Sequence, residues 1–384
     1  MRFSVDAHAI GQHLTGNETY IRNLLNCFAS IDQDSDFIAY LSRHTPFSEV
    51  PDRFHKRHIA ENPFVRLGLD LSRQVSKDRA DLLHVQYTAP LFCPVPVVVS
   101  VHDISYLEYP EYFTKFRATQ LKYTVRRTVK RAARVLTPSE FSKNSIVKAY
   151  GLDESRVVVM PNAVSSQFRP IARGNAQRWI QSEFGFPAPF LLSVADLQPR
   201  KNHLTLIRAF EEVIRSYPQL PHHLVIVGKD TWYSSVIRAA AQKSPAAGRI
   251  HFTGFVSDED LLRFYGACDV FVYPSFYEGF GLPILEAMAC ARAVACSNTT
   301  AMPEVADSAA LLFDPRSLPE MVRAIRDLLL DNELRARMER LGSQRATMFS
   351  WETTARKTLE VYYDVAGAVR RGLAPVRKPV RIAR

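Results

Sequence analysis

The stretch Tyr273 to Cys290, YPSFYEGFGLPILEAMAC, constrains the fold more than any other part of the chain. An apolar run, Asp269 to Tyr273 (DVFVY), leads into it and reads as a buried parallel strand of β-branched and aromatic residues. A polar elbow and Gly279-Phe280-Gly281 follow, and Ile284 to Ala289 is a run of helix formers. Pro283 suits the first helical position, where its missing N–H costs nothing. A strand feeding a glycine loop that opens a helix offers unpaired N–H groups and a positive helix end to an anionic or hydroxyl-rich ligand. Two carboxylates flank the loop: Glu278 just before the glycines and Glu286 early in the helix. The plainer reading is a tight turn with surface acids, and a lone Gly-x-Gly would support no more than that.

At 384 residues the chain is too long for one ordinary core, so two domains are expected. An apolar content of 47% belongs to a globular protein rather than a disordered one. Five scattered cysteines without a C-x-x-C pair argue against a zinc or disulfide framework and for a reducing compartment. The opening MRFSVDAHAIG has no apolar core of a secretory signal, and prolines 90, 94 and 96 break the longest weakly charged stretch. The expected location is cytoplasmic. A net charge of +10 calls for an acidic partner, which can be a phosphorylated ligand, an anionic membrane or nucleic acid.

Short β-branched runs alternate with helical spacing along the whole chain. Val95 to Val101 ends at His102-Asp103, a polar pair where open α/β sheets place their ligand crevice. Phe190 to Val194 runs into Pro199-Arg200-Lys201-Asn202 and then a helix, which aims two cations and a helix N-terminus at one spot. By electrostatics that is a diphosphate site. Lys115 to Arg134 carries eight cations and no acids, and Lys122, Arg126, Lys130 and Arg134 recur every fourth residue along one helix face. Such a face rests on an anionic bilayer, grips an acidic acceptor, or is simply solvated, and all three readings stay open. The mixed, proline-bearing stretch Arg169 to Pro189 reads as the linker. The expected architecture is two doubly wound α/β domains facing each other across a cleft, 1–170 plus 364–384 and 171–363.

With seven residues between its two carboxylates across the glycine loop, the central stretch resembles the donor site of glycosyltransferase family 4, retaining nucleotide-sugar enzymes of the GT-B fold. The PRKN, PSEFS and PNAV stretches and the VHD ending are similar to that family's markers. The resemblance implies that Glu278 lies against the donor hexose, Glu286 binds ribose hydroxyls, and Arg200 and Lys201 hold the pyrophosphate. It implies that His102 lies near the reacting carbon and that the loop of Gly254, Phe255 and Val256 lies near the base. The N–H groups of Phe280, Gly281 and Leu282, after Gly279, would fix the hexose. Gly16 would stand in an N-terminal loop approaching the diphosphate; Glu18, where many members carry a second glycine, would repel that diphosphate unless it points away. The function implied is metal-independent, retaining transfer of a hexosyl group from a GDP-mannose or UDP-sugar type donor. The acceptor would be a glycan or glycolipid of cell-surface polysaccharide synthesis, with no nucleic-acid partner; peripheral association on the inner face of the plasma membrane belongs to the bilayer reading of the basic face. No cofactor or metal is expected. The alternatives are a sugar-nucleotide epimerase of the same fold, which needs further acid/base carboxylates, and a basic nucleic-acid-binding protein, which needs aromatic or glycine-rich RNA motifs.

Overall fold

The computed structural model describes residues 1–12 and 15–371, which divide into two compact units. The first comprises Met1–Asn162 and the segment from Ser350 onward, and the second is Ala163–Phe349. The basic tail expected over Arg370 to Arg384 lies, from residue 372, outside the described residues.

In the first unit, β1 (Arg2–Asp6), β2 (Asp36–Ser42), β3 (His55–Ile59), β4 (Leu82–Gln86), β5 (Val97–Ser100), β6 (Arg134–Thr137) and β7 (Val157–Val159) form one sheet. Its order is β3-β2-β1-β4-β5-β6-β7, and every pairing is parallel. In the second unit, β8 (Phe190–Val194), β9 (His223–Val227), β10 (Ile250–Gly254), β11 (Val270–Tyr273), β12 (Ala293–Ser297) and β13 (Leu311–Phe313) form another parallel sheet. Its order is β10-β9-β8-β11-β12-β13. Strands are added outward in one direction and then in the other, so β1/β4 and β8/β11 are switch points, where such sheets receive ligands beyond the strand carboxyl ends.

The strands read as continuous apolar runs because both faces are covered. On β11, Val270 and Val272 pack with Leu191, Leu224 and Ile226, while Phe271 and Tyr273 pack with Leu192 and Val225 on the opposite face. Each fully buried side chain of this kind contributes about 1.5–3 kcal/mol. In the first unit one sheet face is closed by the terminal helix Trp351–Arg370. The Tyr362 ring meets Phe3 at 5.2 Å and Phe28 at 5.6 Å, and Phe28 stacks on Phe37 at 5.5 Å.

Several elements depart from the sequence reading. The terminal helix belongs to the first unit along its whole length, so the return falls at Ser350 rather than at residue 364. At its start Thr354 Oγ1 donates to the Pro161 carbonyl at 2.5 Å, and near its end Arg370 pairs with Asp81 at 3.0 Å. The first boundary falls after Asn162 rather than after residue 170. The expected linker contains a helix, Arg173–Phe184, whose Ala176 and Ile180 are buried in the second unit's core. The basic helix stops at Arg131: Thr128 takes the Ala132 N–H, and Ala133 N donates to Val97 O, drawing the chain into the sheet. Arg134 therefore begins β6 and leaves the cationic stripe. Pro283 occupies the second rather than the first position of helix Leu282–Ala289, behind the Gly281 cap.

Candidate active site

Two loops meet at the β8/β11 switch point. The first leaves β8, makes a short 3₁₀ turn at Pro199–Lys201, and passes through Asn202 in a left-handed conformation (φ 57°) into helix His203–Ser216. The Asn202 side chain donates to Pro315 O at 2.9 Å and so anchors that turn. The second loop leaves β11 and enters helix Leu282–Ala289 through Gly281, whose φ of 103° suits glycine. Phe276 N donates to Arg200 O at 2.9 Å, tying the two loops together.

This juxtaposition brings Arg200, Lys201 and Glu278 into direct contact. Lys201 Nζ lies 2.7 Å from Glu278 Oε1, and Arg200 Nη1 lies 3.0 Å from Oε2. Arg200 also donates to the Tyr277 carbonyl, and Lys201 to the Tyr273 hydroxyl at 3.2 Å. Glu278 is 8% exposed. Burial opposes its ionisation, but Arg200 and then Lys201 override this and hold its carboxyl at about 2. Burial pulls the Lys201 ammonium below its usual range, while Glu278 opposes that pull. The family resemblance implies Glu278 against a hexose and the cations against a diphosphate. The structure makes them one buried cluster in which a single carboxylate offsets two cations.

Glu286 lives in the opposite environment. Burial pushes its carboxyl up to about 7, with Tyr265, which donates to Oε2 at 2.8 Å, opposing the rise. The two carboxylates of one motif are thus driven apart by their surroundings, the pattern of groups with different chemical tasks. A folded value of about 7, set against an ordinary carboxyl near 4.3, makes the folded state hold the proton longer. Stability from this group is complete in acid and falls as pH rises to 7, by on the order of 3 kcal/mol. Glu286→Gln, which mimics the protonated side chain and still accepts from Tyr265, is expected to unfold at higher urea than the parent at pH 8. The gap should close as pH falls toward 5. A pH-independent difference would remove the buried-proton account.

Around this cluster the backbone is tightly fitted. A Cβ on Gly228, which follows β9, would sit 2.0 Å from the Ala195 carbonyl oxygen, so that position admits only glycine without displacing the loop that carries Arg200. Gly228 N donates to Gly254 O at 3.0 Å, and Gly254 has φ 75°. Beyond it Phe255 is 54% exposed with Lys229 Nζ 4.9 Å over its ring, while Val256 packs against the core. Phe280 is buried against Phe349 at 5.7 Å, so only its backbone is left for a ligand. His203 is 1% exposed, with neither ring nitrogen hydrogen-bonded. Burial first, and the Lys201 charge second, draw it down to about 3.

In the first unit His102 follows β5. Its Nε2 lies 3.0 Å from Gln86 Oε1, and the Gln86 amide nitrogen donates to Asn17 O at 3.3 Å. That orientation makes Nε2 the donor and leaves Nδ1 as the acceptor. Burial, against the opposing charge of Asp103, lowers His102 to about 4, so the ring is neutral at pH 7. Tyr20 packs edge-on against it at 4.7 Å. Gly16 lies in the first turn of helix Thr15–Ile31 rather than in a loop. Glu18 accepts from Gly11 N at 2.9 Å and pairs with Arg22 at 2.8 Å, which occupies the charge that would repel a diphosphate. A pair the sequence reading missed stands at the carboxyl end of β1: His8 Nδ1 lies 2.8 Å from buried Asp6. The residues lie only two apart, a spacing too ordinary to single out. Of the cationic stripe, Lys122 and Arg126 are exposed on helix Lys115–Arg131, whereas Lys130 donates to Gly151 O at 3.2 Å and Arg134 stands 3.9 Å from Asp364.

Among the described residues no group of three or more His, Cys, Asp or Glu is placed to hold a metal ion, and no helix is long and apolar enough to cross a membrane. Residues 180–345 match the model of glycosyl transferases group 1, and residues 14–168 match that of glycosyltransferase family 4. O-antigen chain mannosyltransferase B of Escherichia coli is 33% identical over 265 residues, which is 69% of this chain and 69% of that protein. Sucrose-phosphate synthase of Thermosynechococcus elongatus superimposes with a TM-score of 0.76 at 18% identity, covering 96% of this chain and 100% of that one. HepE of Anabaena, in complex with UDP-glucose, gives 0.72 at 19% identity over 94% and 99%. The paired parallel sheets are those of the GT-B fold, and the agreement of both units with their own family models, together with a relative a third identical over two thirds of its length, places the chain in glycosyltransferase family 4.

Proposed function

We propose that this glycosyltransferase is a retaining, metal-independent hexosyltransferase using a nucleoside-diphospho-sugar, with mannose the favoured hexose, to extend a glycan or lipid-linked acceptor of a cell-surface polysaccharide. The observation that carries the reading is the convergence of Arg200, Lys201 and Glu278 at the β8/β11 switch point. Its likeness to an O-antigen chain mannosyltransferase supports the hexose and the pathway class. The UDP-glucose complex of a protein with the same fold supports the donor class.

As the bond between the sugar's anomeric carbon and the diphosphate oxygen breaks, negative charge gathers on the leaving group. Arg200, Lys201 and the N-terminus of helix His203–Ser216 meet that charge, and they stabilise the transition state more than the ground state. Glu278, ionised and held on both oxygens, orients the hexose rather than taking a proton. Glu286 receives the ribose hydroxyls, and Phe255 lies beside the base. In the first unit, neutral His102 keeps Nδ1 available to accept from a hydroxyl. The acceptor oxygen bonds to the anomeric carbon on the face the diphosphate leaves, and its proton passes to the departing phosphate oxygen. A covalent glycosyl-enzyme is the other route to retention; Glu278, charge-neutralised and already engaged, is poorly suited to act as its nucleophile. The first unit associates peripherally with an anionic membrane.

Incubation with GDP-mannose and UDP-glucose beside oligosaccharide acceptors, with the product's anomeric configuration read by NMR, tests this. Transfer with retained configuration, undiminished by EDTA, is expected. An inverted product overturns retention, and loss of transfer to EDTA with rescue by magnesium or manganese overturns metal independence.

A further inference from the structure

In the first unit three segments are stitched side by side. Residues 88–93 form a strap between a helical stretch, Pro63 to Lys77, and helix Lys115–Arg131. On one side Leu91 N donates to Leu67 O at 2.8 Å and Ser72 Oγ to Phe92 O. On the other, Thr88 Oγ1 meets Thr124 Oγ1 at 3.2 Å, Ala89 N donates to Thr128 Oγ1 at 3.0 Å, and Arg127 donates to Ala89 O. The helical stretch has a π turn at Arg66–Asp70, a local irregularity often found at functional sites.

These segments carry most of the first unit's exposed large apolar side chains. Phe64 is 73% exposed, Leu69 51%, Leu91 51%, Phe92 59%, Phe116 73% and Tyr123 66%. Single exposed apolar residues need no explanation, but large ones gathered on neighbouring segments mark an interaction surface. The charge around them is mostly positive, with exposed Glu61 and Glu111 at the edges of the segments. Helix Lys115–Arg131 holds no acid, and Lys115, Arg117, Lys122 and Arg126 are exposed beside Phe116 and Tyr123. The strap is uncharged, and the one acid between residues 63 and 77, Asp70, accepts from Ala60 N at 2.7 Å.

We infer that this surface inserts apolar side chains into the interfacial layer of an anionic bilayer, with the cations of helix Lys115–Arg131 on the lipid phosphates. The inference rests on the peripheral membrane association proposed above and adds a hydrophobic component to it. A patch of aromatic and aliphatic side chains edged by Lys and Arg matches the depth profile of a leaflet, apolar inward and cationic at the headgroups. Attraction by charge alone fades within a Debye length and is lost in salt, whereas apolar insertion is not. The cationic stripe by itself gives only attraction by charge; the exposed aromatic side chains add insertion.

Co-sedimentation of the full chain with phosphatidylcholine vesicles, with and without phosphatidylglycerol, at low and high salt, tests this beside the variant Phe64→Ser/Phe92→Ser/Phe116→Ser. Binding to anionic vesicles should weaken in high salt without vanishing. The variant should bind at least tenfold more weakly at low salt and not at all at high salt, while transfer to a soluble acceptor is unchanged. Tyr123→Trp should show a blue-shifted emission on anionic vesicles. Equal binding of parent and variant at low salt, with both released by high salt, overturns insertion and leaves electrostatic association standing. A parent that ignores anionic vesicles at low salt overturns both. A dimer lost in the variant, with no vesicle binding, assigns the patch to self-association and overturns the inference.

Discussion

Arg200→Ala and Lys201→Ala are each expected to lower turnover by about 10²-fold or more, the magnitude of losing one preorganised charge from a developing anion. The loss should appear in turnover more than in donor affinity, because the charge on the leaving diphosphate grows only as the bond breaks. Both substitutions should also erase most of the preference for nucleoside diphosphate over nucleoside. The structure adds a distinction between them. Arg200 also donates to the Tyr277 carbonyl, at the entry to the glycine loop, whereas Lys201 contacts Glu278 and the Tyr273 hydroxyl. Arg200→Ala should therefore loosen the loop as well as the charge and lower the melting temperature more than Lys201→Ala. Arg200→Lys should recover charge without that planar, two-partner geometry and remain impaired. Turnover within a few-fold of the parent in either alanine variant would place the leaving-group charge elsewhere.

What the sequence made legible was whatever depends on neighbours along the chain. The buried strands announce themselves as β-branched runs; β8, Phe190–Val194, has the expected bounds, and the others differ by a few residues at their ends. The Arg-Lys turn and the glycine loop are likewise local objects. What remained hidden depends on residues distant in sequence. Glu278 meets Lys201 across a separation of 77 residues because β8 and β11 are neighbours in the sheet order, which composition does not reveal. Glu286 is pushed toward 7 in surroundings completed by Tyr265 on another helix. The cationic pattern through Arg134 overran its helix because Ala133 finds the Val97 carbonyl, a sheet contact that periodicity cannot register. By sequence Arg173–Phe184 looks like linker because its apolar positions are few and its flanks carry prolines; its burial against the second unit's core makes it a helix. Exposure of Phe64, Phe92 and Phe116 is equally non-local, since isolated aromatics in a sequence are usually core.

Glu278→Gln should abolish transfer and yet bind free nucleoside diphosphate at least as tightly as the parent. The carboxylate now engages both cations, at 2.7 Å and 3.0 Å, in a buried setting. A diphosphate reaching Arg200 and Lys201 has to share them with that charge, so its neutral replacement removes a competitor and a like-charge repulsion. A gain of up to about tenfold in affinity follows from charge pairs of this closeness. The same substitution leaves two cations buried without their partner, which costs about 3–5 kcal/mol in the unliganded protein. The variant should therefore melt well below the parent when empty and recover a disproportionate part of that loss when nucleoside diphosphate is added, because the ligand binds only the folded state. Transfer fails for a separate reason: an amide cannot present two acceptor oxygens to hexose hydroxyls. Calorimetry with the free nucleoside diphosphate, melting curves with and without it, and turnover with the complete donor separate the three effects. Weakened diphosphate binding would show that Glu278 helps assemble the anion site, and retained transfer would remove it from the hexose.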